Sequence, residues 1–177
     1  DGAPAQMLKS ADNLDYTSMY VLNLGLKYRN RNKILSNAHW IYFPEKRFPF
    51  HRIVFPSNVS KGMIPDDKWS ISVEVSYSKH RPLERGNLRS KIIQDLISID
   101  ILNSENEIIL ENEMDFSPAY VIYDKKRTRE VNQIKKFLKE NNVYSIGRYG
   151  SWEYSAMEDA IVQGKEVSET ITKNIGR

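Results

Sequence analysis

Residues 70–77 set Ile71, Val73, Val75 and Tyr77 against Ser72, Glu74 and Ser76, the period-two pattern of a strand with one face buried. Such a strand needs neighbours at its edges and an apolar layer on one side. The preceding sequence supplies the neighbours. Residues 19–27 place Tyr20, Leu22, Leu24 and Leu26 on one face, and 39–43 and 51–55 read as two further strands. Pro44-Glu-Lys-Arg-Phe-Pro49 between those two reads as a hairpin loop. The predicted product is an antiparallel sheet.

The period then changes. In 87–102, Leu88, Ile92, Ile93, Leu96 and Ile97 fall on one helical face. The acidic stretch 104–115 holds only a short strand or irregular segment at 108–110, and 119–123 is a strand after Pro118. Residues 129–140 form an amphipathic helix through Val131, Ile134 and Leu138, stopped by Asn141-Asn142. A short strand at 143–146 and a helix from Ser155 to about Thr170 follow. Strands first and helices later predict an α+β fold, a largely antiparallel sheet with helices on one face. Residues 1–17, polar and carrying Pro4, read as a loop or incomplete element, 18–146 as the α+β domain and 147–177 as a turn with the final helix.

Composition excludes several functions. With no cysteine among the 177 residues, a disulfide framework, thiolate catalysis and cysteine-bound metal are ruled out, and a cytoplasmic setting fits. No apolar run approaches the roughly 20 residues of a membrane span. A net charge of +3 does not point to nucleic acid. The basic clusters Lys27, Arg29, Arg31, Lys33 and Lys125, Lys126, Arg127, Arg129 read as solvated turns. His39, His51 and His80 lack metal-ligand spacing, and Gly150-Ser151 lacks the flanks of a nucleophile elbow.

The segment with the most chemistry is Gly147-Arg-Tyr-Gly-Ser-Trp-Glu-Tyr-Ser-Ala-Met157. Its two glycines permit turn geometry and close backbone approach. Ser155 and Glu158 form a capping-box pattern, so the predicted helix would present its N-terminal N–H groups and positive dipole end to an anion or anionic ring. Arg148 can fork onto phosphate or carboxylate. Tyr149, Trp152 and Tyr154 offer stacking area with polar tips. In the sheet region, Ser57 and Asn58 either orient a substrate or cap the loop backbone, and Arg52 with His51 opens a strand.

This motif resembles the C-terminal flavin-contacting motif of FAD-dependent amine oxidase and protoporphyrinogen oxidase-like proteins, and especially the Gly-Arg-aromatic segment of UDP-galactopyranose mutases. Trp40-Ile-Tyr-Phe-Pro44, His51-Arg-Ile-Val-Phe-Pro-Ser-Asn-Val-Ser60, Ser72-Val-Glu-Val-Ser-Tyr77 and Tyr120-Val-Ile-Tyr-Asp124 resemble strands and loops of their substrate-binding domain. The resemblance implies a helix N-terminus facing the flavin's pyrimidine edge, with Gly147, Arg148, Tyr149, Gly150, Trp152, Tyr154 and Met157 at the cofactor. It implies substrate contacts from Arg148, Ser57, Asn58 and Arg52, with Arg148 helping to place a nucleotide-sugar diphosphate. One departure is that mutase patterns carry an acidic residue where Ala156 stands.

No G-x-G-x-x-G turn precedes these elements, the turn that would hold the FAD pyrophosphate. The chain is therefore expected to be a C-terminal portion that depends on an N-terminal FAD-binding domain of the same protein and holds FAD weakly alone. The implied parent is an oxidoreductase or mutase-like enzyme acting on a nucleotide sugar in cell-surface polysaccharide or lipopolysaccharide synthesis, with an amine or porphyrinogen as the alternative substrate. The competing reading is a non-catalytic α+β module that binds protein or carbohydrate, with a sheet edge able to bring two copies together as a homodimer.

Overall fold

The computed structural model of the chain describes residues 2–27 and 32–175. Arg29 and Arg31 of the first basic cluster lie outside the described residues. The chain divides into two compact units, Ser18–Ser117 and a second built from Asp1–Thr17 with Pro118–Arg177. Sequence drew boundaries at 17/18 and 146/147. The chain passes between the units at 17/18 and at 117/118, each inside a strand.

The first unit is organised by the expected sheet. Strands β1 (Tyr16–Leu26), β2 (Trp40–Tyr42), β3 (Arg52–Val54), β4 (Trp69–Tyr77) and β5 (Ile108–Val121) run in the order β2-β3-β4-β1-β5. Leu22 pairs with Val73 and Leu24 with Ile71 across β1 and β4, and Ile53 pairs with Val73 across β3 and β4, all antiparallel. That register places the alternating apolar residues of three strands on one face. After the short helices α2 (Lys33–Asn37) and α3 (Pro56–Val59), helix α4 (Leu88–Ser98) packs on that face through Leu88, Ile92, Ile93 and Leu96, all in one cluster with Tyr20, Leu22, Leu24, Trp69, Ile71 and Val73. Phe43, Phe48 and Phe50 of the β2–β3 loop join it with ring centroids 5.0–5.6 Å apart. The helix ends where Asp100 takes a left-handed φ of 58° and the N–H groups of Ile101 and Leu102 turn back to the Leu96 carbonyl.

β5 corrects the sequence reading: the segments at 108–110 and 119–123 are the two ends of one 14-residue strand. Its acidic middle has partners. Arg89 bonds Glu111 and Glu105, while Arg85 and the Tyr77 hydroxyl bond Asp115. The polar character that hid the strand is thus matched by groups on α4, β4 and the loop before α4.

In the second unit, α1 (Ala5–Asp12) forms where a loop was expected; Pro4 stands at its N-cap, ahead of the helix proper, where its missing N–H breaks no intrahelical bond. Ser10 donates to Gln133 of α5 (Arg127–Glu140) at 3.1 Å. Asn142, with φ 59°, ends α5, and Val143 N–H bonds the Leu138 carbonyl at 2.8 Å. Residues 143–146 form no strand. Gly147–Gly150 is a four-residue helix, α6, and the last helix, α7, spans Met157–Ile175. Among the described residues no helix is long and apolar enough to cross a membrane, and no group of three His, Asp or Glu side chains could hold a metal.

Candidate functional site: an aromatic turn ahead of the last helix

The turn between α6 and α7 is held by its backbone. Gly147 has φ 78° with open space where a Cβ would stand, so only its conformation demands glycine there. At Gly150 the demand is steric, since a Cβ would lie 2.8 Å from Ser145 Oγ and 3.2 Å from the Ser145 carbonyl carbon. Trp152 sits at φ 49°, uncommon and costly for a bulky residue. The Gly147 N–H and the Ser151 hydroxyl both donate to Gln163 Oε1 of α7, at 2.7 and 3.1 Å. Lys135 of α5 donates to Ser151 Oγ at 3.0 Å.

The expected capping box is not formed. Helix α7 begins two residues after Ser155, and Ser155 Oγ is buried with no hydrogen-bond partner among the described residues. Asp159, in place of Glu158, reaches back to accept from the Ala156 N–H at 2.7 Å. This is the reciprocal half of the box, shifted by one residue. The N-terminus of α7 therefore already carries a capping carboxylate, with Glu158 beside it in the first turn.

Arg148 points its guanidinium into this structure. Nε and Nη2 both donate to the Ser155 carbonyl, at 3.1 and 2.7 Å. The group lies 4.9 Å from the Tyr154 ring centre and 5.5 Å from that of Tyr120, and the two rings stack at 5.8 Å. Cation–π attraction adds to the hydrogen bonds. Nη1 makes no hydrogen bond among the described residues. Tyr149 bonds the Ala119 carbonyl through its hydroxyl at 3.4 Å and is 51% exposed, Tyr154 is 68% exposed and Met157 86%. Trp152 instead packs edge-on against Tyr16, centroids 6.0 Å apart, with its indole nitrogen buried.

Two contributors were missed by sequence reasoning. Arg127, read as part of a solvated turn, donates through Nε to the Trp152 carbonyl at 2.7 Å and through Nη2 to the same oxygen and to the Ser151 carbonyl at 3.4 Å. Tyr123 accepts the Tyr154 N–H on its hydroxyl at 2.8 Å. Both precede or open a helix in a lysine-rich run, where charge alone signals solvent.

The remaining sequence candidates, Arg52, Ser57 and Asn58, belong to the unit Ser18–Ser117. Asn58 Nδ2 donates to the Leu35 and Ala38 carbonyls at 2.8 and 2.7 Å, and the buried Ser57 hydroxyl exchanges long bonds of 3.4–3.5 Å with the Ser70 backbone. These are loop staples. Arg52 forks onto Glu74 Oε2 through Nε at 2.7 Å and Nη2 at 2.6 Å, and Nη1 reaches the Tyr42 hydroxyl at 3.2 Å. His51 Nε2 lies 3.9 Å from the same carboxylate, while Nδ1 is buried without a partner among the described residues. Burial, helped by Arg52 and opposed by Glu74, holds the His51 pKa below its ordinary value.

A crystal structure of reduced UDP-galactopyranose mutase matches 82% of this chain at 29% identity, with a TM-score of 0.75. The chain has the fold of part of that mutase. The match takes up 31% of the mutase chain. A protein from Exiguobacterium sp. 255-15 described as a protoporphyrinogen oxidase matches 93% of this chain and 36% of its own, with a TM-score of 0.69 and 11% identity, which carries the fold alone. The chain thus spans about a third of the proteins it matches. No protein-family model matches it.

Proposed function

We propose that this chain is the substrate-binding and flavin-capping part of an FAD-dependent oxidoreductase or mutase-like enzyme acting on a nucleotide sugar. The observation that carries the reading is the match to reduced UDP-galactopyranose mutase over 82% of the chain. The turn ahead of α7 supports it chemically. First-turn N–H groups of a helix lack intrahelical acceptors, and those of α7 start beside the exposed side chains of Tyr154 and Met157.

The residues present fit the pyrimidine edge of a flavin better than a phosphate. Glu158 and Asp159 at the same helix end disfavour a full anion there, whereas an uncharged ring carbonyl needs only the N–H donors. Gly147, Tyr149, Gly150, Trp152, Tyr154 and Met157 would shape that edge. Arg148 would offer Nη1 to the substrate's diphosphate while Nε and Nη2 hold the Ser155 carbonyl. When bound, the flavin supplies the redox or nucleophilic chemistry. This chain's own contribution is to present donors, exclude water with aromatic side chains and orient the substrate. A cytoplasmic setting and a role in cell-surface polysaccharide or lipopolysaccharide synthesis belong to the same proposal.

A second reading, a carbohydrate-binding module without catalysis, draws on Trp40 and Tyr42. Both are more than half exposed and lie two residues apart on strand β2, with Arg52 5.7 Å from the Tyr42 ring centre. Two tests separate the readings. The reading frame upstream of Asp1 either encodes a G-x-G-x-x-G turn about one domain earlier or lacks it. Calorimetric titration of the product with a UDP-sugar and with the free sugar then decides the ligand. Binding that requires the UDP group supports the flavoenzyme, and binding of free sugar alone overturns it in favour of the module.

A further inference from the structure

Arg127 lies outside every segment that sequence or resemblance assigned to a site, yet its guanidinium makes three hydrogen bonds to the aromatic turn. Its own placement is fixed first. Asp124 Oδ1 accepts the N–H groups of Lys126 and Arg127 at 3.0 and 2.8 Å, which sets the start of α5 at the end of strand β5. From that position the guanidinium reaches the two carbonyls that follow α6, those of Ser151 and Trp152. Carbonyls at a helix end have no intrahelical donor and need one from elsewhere. The need is sharper here because Trp152 is in the left-handed region at φ 49°, a conformation that persists only when its surroundings hold it.

The same segment grips the turn again one residue further along. The guanidinium lies 4.4 Å from the Tyr123 ring centre, and the Tyr123 hydroxyl accepts the Tyr154 N–H. Tyr120 stacks on Tyr154 and lies beside Arg148. The end of β5 and the first residue of α5 thus fix Trp152 and Tyr154, the residues on either side of Glu153. Trp152 and Tyr154 in turn set where the Ser155 carbonyl, and so the Arg148 fork, must lie.

We infer that Arg127 is the positioning residue of the aromatic turn: by forking onto the Ser151 and Trp152 carbonyls it holds the Tyr149–Tyr154 surface and Arg148 in their ligand-facing arrangement without touching ligand itself. This rests on the reading that the turn faces the flavin and substrate. A lysine cannot replace it, because an ammonium is a point donor and lacks the planar fork.

The test uses fluorine NMR of protein labelled with 5-fluorotryptophan. The chain has three tryptophans, and single Trp→Phe changes assign the three resonances. In Arg127→Ala and Arg127→Lys the Trp152 resonance is expected to shift or broaden, while those of Trp40 and Trp69 stay native and report an intact sheet. In the holoprotein reconstituted with FAD, both variants are expected to bind flavin roughly tenfold more weakly, the size expected when one charge-assisted hydrogen bond is removed. An unmoved Trp152 resonance in Arg127→Ala overturns the positioning role. A moved resonance with unchanged flavin affinity upholds Arg127's hold on the turn and instead overturns the reading that this turn faces the flavin.

Discussion

Replacing Gly150 with alanine tests whether the turn is built on close backbone approach. In an exposed helix interior the change from glycine to alanine stabilises by about 1 kcal/mol, and Gly150 has an ordinary φ, so propensity alone predicts a gain. The structure predicts a loss. The new methyl would lie 2.8 Å from Ser145 Oγ, which can rotate away, and 3.2 Å from the Ser145 carbonyl carbon, which cannot. Relieving the second contact requires a backbone shift in residues 145–150, and overpacking of this kind costs about 1–3 kcal/mol. The propensity gain is reduced because α6 is only four residues long and Gly150 is its last. The net expectation is a loss of about 1–2 kcal/mol, or a fall in Tm of roughly 2–8 °C for a chain of this size. Gly164, inside α7 with nothing within 4 Å of its would-be Cβ, is the matched control. Gly164→Ala should raise Tm by roughly 2–4 °C. Thermal unfolding followed by far-UV circular dichroism reads both. If Gly150→Ala stabilises as Gly164→Ala does, the steric reasoning at the turn is refuted.

Asn58→Ala leaves the Leu35 and Ala38 carbonyls without their donor and should cost about 1–3 kcal/mol, read as a lower urea midpoint; an unchanged midpoint contradicts the staple role. Arg148→Lys keeps the charge but loses the fork onto Ser155, so affinity for a UDP-sugar should fall further than stability does, and equal affinity by calorimetry removes Arg148 from the substrate site. His51 gives a pH dependence with a definite sign. Its folded pKa lies below the ordinary value of about 6.5, so as pH falls through 6.5 the unfolded chain takes up the proton first and stability drops. His51→Gln should flatten the wild-type decline in Tm between about pH 7.5 and 5.5, above the range where carboxylates titrate; parallel curves show that His51 does not contribute.

The sheet was legible because β1 over 22–26 and β4 over 69–73 alternate buried with half-buried residues, and burial of one face writes itself as alternation, although residues 18–22 of β1 are buried on both faces. β5 escaped notice for the converse reason. Residues 109–116 are exposed, and Glu111 and Asp115 are satisfied by Arg89, Arg85 and Tyr77, partners that become neighbours only once the chain is folded. Val143 and Ile146 have strand-forming side chains but no neighbouring strand to pair with among the described residues, and propensity without a partner does not make a strand. Pro4 was read as a breaker although the first helix begins directly after it. At the turn, the need for Gly147 and Gly150 was readable from residue type. The shift of the helix start, with Asp159 as the capping carboxylate, depends on a backbone geometry at 152–156 that local sequence does not encode. Arg127 lay out of reach because its partners are 24 and 25 residues away and are backbone carbonyls, which have no sequence signature.

The most direct test of the flavin proposal is visible absorption after reconstitution. This chain, and the product of its reading frame extended upstream of Asp1, are each incubated with FAD and desalted. Flavin absorption retained by the extended product, and lost from it on Gly147→Val, is the predicted result, because valine cannot adopt φ 78° without strain. Flavin retained by neither protein contradicts the flavin-capping role.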